Sequence, residues 1–211
     1  MIVLLSDPLI AAITSRDNGE PLADLRAVPE LRLAGGPPGC LARQGLRDRL
    51  VTAQAALPAG VRLLIMECYR TPELQDEYFS GYREKLRAWH PGWTDERLHV
   101  EASKFVSPPE VAPHCTGGAV DLTLAAEDGE QLDMGTEVDA NPEDSEEACF
   151  TAATNISARA RRNRDLLAAA LRSAGLVNYP TEWWHWSYGE RYWAHTTGQS
   201  ATIYGPVAPP A

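Results

Sequence analysis

The chain has 211 residues, 44% of them hydrophobic and 23% charged, with a formal net charge of −10. That length suits one good-sized core and is short for two, so residues 1–211 are expected to form a single domain. The acidity argues against nucleic acid or an anionic membrane surface as partner, since both want a basic footprint, and it suits a small substrate with a cationic group.

The opening MIVLLSDPLIAAI is apolar but has no basic n-region, and Asp7-Pro8 interrupts it. It reads as an opening strand or buried arm, not a signal peptide, and no apolar run is long enough to span a bilayer. Leu46, Leu50, Ala53 and Leu57 recur at helical spacing within 41–57, which predicts a helix packed on a core. VRLLIMECY, 61–69, predicts a buried strand. Thr71-Pro72 opens a second helix that runs to about Trp89, with threonine as N-cap and proline at the first helical position. The stretch 90–113, broken by prolines and polar residues, reads as loop.

GAVDLTL, 118–124, predicts a strand. Residues 125–150 then carry ten Asp/Glu and no Lys or Arg. A loop that long in a compact domain is usually functional or disordered. Residues 157–173 predict a basic helix stopped at Gly175. WHWSYG reads as an aromatic strand and ATIYGPV, near the end, as another. Helices among scattered strands, without regular βαβ alternation, favour an α+β fold with a central antiparallel sheet flanked by helices. Cys40, Cys68, Cys115 and Cys149 show no CxxC spacing and read as reduced thiols of a cytoplasmic protein.

Two segments carry chemistry: PHCTGGAVDLTL, with His114 and Asp121, and TEWWHWSYG, with Glu182 and His185. Two imidazoles and a carboxylate are a standard donor set for a catalytic zinc with one open position. A further carboxylate, Glu182, is placed to serve as general base. On one continuous strand the odd interval from His114 to Asp121 would point them to opposite faces. Gly117-Gly118 between them can supply a turn, so His114 should come from a loop or strand end and Asp121 from the strand that follows. By the same parity Glu182 should lie in a bend after Pro180-Thr181, with His185 on the strand.

Singly, each of these residues is more often a satisfied polar group of a core or turn. The joint pattern is what points to a metal site. Cys115, next to His114, should point away from the metal, and His90, His99 and His195 read as surface residues. Trp183, Trp184 and Trp186 read as core and pocket wall. Cys68 and Arg70 share a strand face if the strand reaches that far, which would bring Cys68 near the pocket. From position alone, Arg70 reads as a surface salt bridge beside a helix cap.

In their order, CYRTP, HCTGGAVDLTL, LDMGTEVD, NISARARRNRDLL and TEWWHW resemble the D-alanyl-D-alanine dipeptidases of the vancomycin-resistance (VanX) type, relatives of zinc D,D-carboxypeptidases and the hedgehog fold. The resemblance covers about residues 40–190. It implies that His114, Asp121 and His185 bind one zinc ion and that Glu182 is the catalytic base. It also implies that Arg70 stabilises the transition state and that Asp139 holds the substrate's ammonium group. Ala112 stands where the family pattern has a serine, Cys115-Thr116 replaces Ser-Arg, and the arginine is followed by Thr-Pro instead of Pro. From about residue 191 the match is poor.

The reading is therefore a zinc peptidase acting on D-Ala-D-Ala or a similar short D-dipeptide, with resistance, cell-wall recycling and self-protection all compatible roles. The alternatives are a peptidoglycan D,D-carboxypeptidase or endopeptidase on the same fold and a zinc-binding module without catalysis.

Overall fold

In the computed structural model, which describes residues 2–208, the chain opens with a short helix, α1 (Pro8–Ala11), where the Asp7 side chain accepts from the Leu9 amide at 2.9 Å. There follow β1 (Leu22–Asp24), β2 (Arg32–Leu33), β3 (Leu41–Arg43), α2 (Gln44–Ala55), β4 (Val61–Glu67), α3 (Pro72–Trp89) and α4 (Asp95–Ala102). Then come β5 (Ala119–Ala126), α5 (Ala158–Ser173), β6 (Val177–Asn178), β7 (His185–Ser187) and α6 (Arg191–Thr196). Met1 and residues 209–211, part of the expected single domain, lie outside the described residues.

The main sheet has five strands in the order β2-β4-β5-β7-β6. The fold is α+β as expected, but the sheet is mixed: β2 pairs with β4 in parallel, and the other three pairings are antiparallel. The reason is the connection, since the chain between β2 and β4 passes through β3 and α2, and a crossover of that length permits a parallel return. β1 and β3 form a separate antiparallel pair.

β5 is buried along nearly its whole length. Its alternation sorts side chains by face. Val120, Leu122 and Leu124 join Leu46 and Leu50 of α2, Leu63 and Ile65 of β4, and Leu167 and Leu171 of α5 in the main core. Asp121 is thereby turned to the other face. Burying each such leucine or isoleucine stabilises the fold by about 1.5–3 kcal/mol, which fixes the strand register and so the face on which Asp121 stands. A second cluster joins Phe79, Tyr82 and Leu86 of α3 to Leu98 and Ala102 of α4.

Several expectations are corrected. The stretch 90–113 contains α4 and a 3-10 turn at Pro109–Val111. Its start carries a cap, with Thr94 accepting from the Arg97 amide at 3.2 Å and Asp95 and Glu96 in the first turn. The N-terminal segment is a buried arm, not a strand, with Leu5 and Ile10 packed against Val111, Tyr179 and Tyr192. Residues 201–207 form no strand, only one bridge from Ala201 to Thr14. β4 stops at Glu67, so Cys68 and Arg70 share no strand face. Thr71 caps α3 as expected, accepting from the Leu74 amide at 3.3 Å, with Pro72 opening the helix. No helix among the described residues is long and apolar enough to cross a membrane.

Candidate active site

His114 opens a 3-10 turn, His114–Thr116, that ends at Gly117 in the left-handed region with φ of 69°. β5 then begins at Ala119. The turn between histidine and strand overcomes the parity problem, and the His114 and Asp121 side chains meet, Nε2 to Oδ2, at 3.2 Å. Gly118 is required for another reason: a Cβ there would stand 2.6 Å from the Tyr188 carbonyl oxygen.

Glu182 lies in the bend before β7. Its amide donates to the Tyr179 carbonyl at 3.0 Å, and the His185 amide donates to the Glu182 carbonyl at 3.3 Å. Asn178 on the edge strand pins this bend from outside, its side-chain amide donating to the carbonyls of Glu182 and His185, each at 2.9 Å.

Asp121 and His185 are register partners across β5 and β7. His185 Nδ1 lies 3.0 Å from Asp121 Oδ1 and 3.1 Å from His114 Nε2. Zinc bonds of about 2.0–2.2 Å in a tetrahedron would separate neighbouring donors by about 3.3–3.6 Å. The two imidazole nitrogens are nearly at that spacing, and because each meets a different oxygen of Asp121, a shift of that carboxylate would let all three share one ion. Among the described residues they are the one group of ligand-type side chains close enough to share a metal. The far side of the His114 ring supports the same use, because Nδ1 sits 2.5 Å from the Cys68 carbonyl oxygen. That carbonyl can only accept, so the proton belongs on Nδ1 and the Nε2 lone pair faces the other donors.

Glu182 Oε2 is 3.8 Å from His185 Nδ1. Its carboxyl is buried, and burial raises it well above the usual carboxylate range, with the charges of Asp121 and Asp139 adding to the rise and Arg70 opposing it. Burial also works to raise Asp121, but the two imidazoles outweigh it and hold that carboxyl well below its usual range.

Arg70 is not a surface salt bridge. It is buried to 8% exposure, directly after β4, and its guanidinium meets the Glu67 carboxylate through Nε at 3.0 Å and Nη2 at 2.5 Å. Burial disfavours its charge, and Glu67 more than restores it. Glu67 was not singled out in the sequence. A bulge between Ile65 and Glu67 sets Glu67 opposite Asp121 across the sheet, so that β4 contributes a carboxylate to the same face.

Asp139 reaches the same cleft from the acidic segment, in a backbone conformation with φ of 63°. It stays open to solvent at the rim, yet the crowding walls and the charges of Asp121 and Glu67 push it up to about 6. Residues 127–157 contain no helix or strand, but they are tied down. The buried Arg164 guanidinium donates to the carbonyls of Met134 at 2.7 Å, Phe150 at 2.7 Å and Ala148 at 2.8 Å.

All six singled-out residues (Arg70, His114, Asp121, Asp139, Glu182 and His185) line one cleft of about 460 Å³. That is at the small end of ligand sites, which run from about 300 to 1,000 Å³. Tyr78 and Tyr82 of α3, Phe105 and Trp184 supply aromatic wall. Trp183 and Trp186 lie in the main core. Cys68 contributes its carbonyl, not its thiol, and His90, His99 and His195 lie elsewhere. Sequence reasoning also missed Arg43. This buried residue donates from Nε to the Thr116 carbonyl at 2.8 Å and from Nη2 to the Gly205 carbonyl at 3.0 Å, anchoring the turn that carries His114.

Residues 38–202 match the family model described as D-ala-D-ala dipeptidase. The chain is 36% identical over 239 aligned positions to a D-alanyl-D-alanine dipeptidase of a Synechocystis species, covering 93% of this chain and 95% of that one. It is 39% identical over 72 positions to the D-alanyl-D-alanine dipeptidase of Escherichia coli, covering 34% of this chain and 35% of that one. Among solved structures, the LdcB LD-carboxypeptidase superposes with a TM-score of 0.50 at 18% identity, over 92% of this chain and 85% of that chain, a likeness of fold.

Proposed function

Because this chain belongs to the D-Ala-D-Ala dipeptidase family, we propose that it hydrolyses the peptide bond of D-alanyl-D-alanine or a similar short D-dipeptide, with one zinc ion held by His114, Asp121 and His185. The observation that carries this reading is the buried cluster in which His114 Nε2 and His185 Nδ1 lie 3.1 Å apart and each meets one oxygen of Asp121, at 3.2 and 3.0 Å, with a buried carboxylate, Glu182, standing 3.8 Å from His185 Nδ1.

Zinc, when bound at such a donor set, polarises the scissile carbonyl and makes water a better nucleophile near neutral pH. Glu182 takes the proton from the attacking water and hands it to the leaving amine. A carboxyl raised by burial suits both halves of that transfer, because it must hold the proton between them. Arg70 donates to the oxygen on which charge develops; losing a donor of this kind costs about 100- to 1000-fold in rate. Asp139 pairs with the substrate's free ammonium, with Glu67 adding negative potential behind it.

The other expected partners follow from the same chemistry. A net charge of −10 supports a small substrate with a cationic group and neither nucleic acid nor a membrane surface. Cys40, Cys68, Cys115 and Cys149 are all buried and unpaired, which supports a reducing, cytoplasmic setting. No specific observation favours the carboxypeptidase, endopeptidase or non-catalytic alternatives.

The test is D-alanine release from D-Ala-D-Ala by zinc-loaded protein, beside a panel of muropeptides. Release from the dipeptide supports the reading. Cleavage of muropeptides alone would replace it with the carboxypeptidase or endopeptidase, and inertness toward both with a binding module.

A further inference from the structure

The guanidinium of Arg70 is held from two sides. Glu67 takes Nε and one N–H of Nη2. The third bond runs from Nη1 to Gln75 Oε1 at 3.0 Å. Gln75 lies in the first turn of α3 and is fully buried at 0% exposure. Its own amide is oriented by a third segment, since Nε2 donates to the Ser107 carbonyl at 2.8 Å and to the Ser107 hydroxyl at 3.3 Å. A carbonyl oxygen only accepts, so the amide nitrogen must face Ser107 and the amide oxygen must face Arg70. The Tyr78 ring covers the guanidinium at 4.9 Å from its centroid.

We propose that Gln75 is a positioning residue for the reaction: its buried side-chain amide, locked by Ser107, aims the Arg70 guanidinium at the site where the oxyanion forms. Arg70 has five N–H donors, and Glu67 and Gln75 occupy three of them. One N–H on each Nη remains for the cleft that Arg70 lines. Glu67 alone fixes one edge of the plane and leaves the Nη1 end free to swing. Gln75 closes that end. A neutral amide also does this without adding charge, whereas a second carboxylate would further cancel the positive potential an oxyanion needs. The pairing ties Arg70 to both α3 and the segment before Pro108, two elements that wall the cleft.

This inference rests on the peptidase reading, and a double-mutant cycle tests it. Gln75→Met and the isosteric Gln75→Glu are each made in wild type and in Arg70→Ala, loaded with zinc, and assayed on whichever D-peptide the wild type cleaves. In the wild-type background either change should lower kcat about tenfold or more, with KM within about twofold. Gln75→Met does so through loss of a hydrogen bond to a charged group. Gln75→Glu does so because a carboxylate still accepts from Arg70 but cannot donate to the Ser107 carbonyl and sets a second negative charge against the guanidinium. In the Arg70→Ala background the same change should alter kcat less than about twofold, because the group that Gln75 positions is already gone. Equal losses in both backgrounds would overturn the proposal. So would a rise in KM alone, or failure of both variants to fold as zinc-loaded protein, since either would make Gln75 a binding or scaffold residue. A wild type inactive on D-Ala-D-Ala but active on a longer D-peptide would strike the dipeptidase reading and leave the cycle runnable.

Discussion

Asp121 of β5 faces His185 of β7 directly across an antiparallel ladder, and their side chains meet at 3.0 Å. On its other side Asp121 is paired in register with Glu67 of β4. The candidate centre is thus a row of side chains across the middle of the sheet, completed by His114 from the turn that leads into β5. Cross-strand neighbours share a face, so the pairing that stabilises the sheet also assembles the donors.

Glu182→Ala should retain one zinc per chain and lose nearly all hydrolysis, because the side chain removed is the proposed base and not one of the three proposed donors. Metal content by emission spectrometry and D-alanine release check the two halves. A variant that hydrolyses at the wild-type rate removes Glu182 from the mechanism.

The acid limb of activity should move when Asp139 is neutralised. Burial comes first in raising Glu182, and the charges of Asp121 and Asp139 add to it by disfavouring the ionised form. Glu182 must be ionised to accept a proton, so activity falls as pH drops through its pKa. Asp139→Asn removes one of those negative charges, lowers that pKa in the free enzyme and shifts the acid limb of kcat/KM to lower pH. KM should rise in the same variant through loss of the ammonium partner. A pH–rate profile with an unmoved limb would show that the two carboxyls do not communicate.

Chelation should both inactivate and destabilise the protein. A metal that binds only the folded state adds about 2.7 kcal/mol when free zinc is 100 times its Kd. For a chain of this size that corresponds to roughly 5–10 °C in Tm. Scanning calorimetry with EDTA, then with zinc restored, reads the shift. No change in Tm would mean that His114, Asp121 and His185 hold no ion.

Arg164→Met should loosen the acidic segment. It removes three charge-assisted bonds, two of them buried (to Met134 and Ala148) and one part-buried (to Phe150), and leaves their carbonyls without that partner. The expected cost is about 3 kcal/mol, visible as a lower urea midpoint. Proteolysis should then strike first within 134–150, and KM should rise as Asp139 loses its support. A variant with wild-type stability would show that the segment is held by other contacts.

Much of the scaffold was legible because its periodicity is local. Leu46, Leu50 and Ala53 recur at helical spacing, and Thr71-Pro72 is a helix start that depends on no distant residue. α4 was missed although Thr94 and two acids mark its start, because eight residues carry little apolar periodicity and prolines stand on both sides. β2, β3 and β6 have two or three residues each, too short to show alternation; they are strands because a neighbour pairs with them.

The sequence by itself determined the kinds of chemistry available: two histidines and a carboxylate for a metal, a further carboxylate near one histidine, and glycines that let His114 and Asp121 converge. These depend on residue type and short spacing, which the chain carries along its length. Only the tertiary structure decided which groups act together. The bulge in β4 brought Glu67 beside Asp121, and Gln75 with Ser107 turned Arg70 from an apparent surface residue into a clamped guanidinium. Arg164 held the long acidic segment so that Asp139 reaches the cleft, and Arg43 anchored the turn that carries His114. Such partnerships join residues far apart in the chain through strand register and buried hydrogen bonds, and those are specified only when the whole core packs at once.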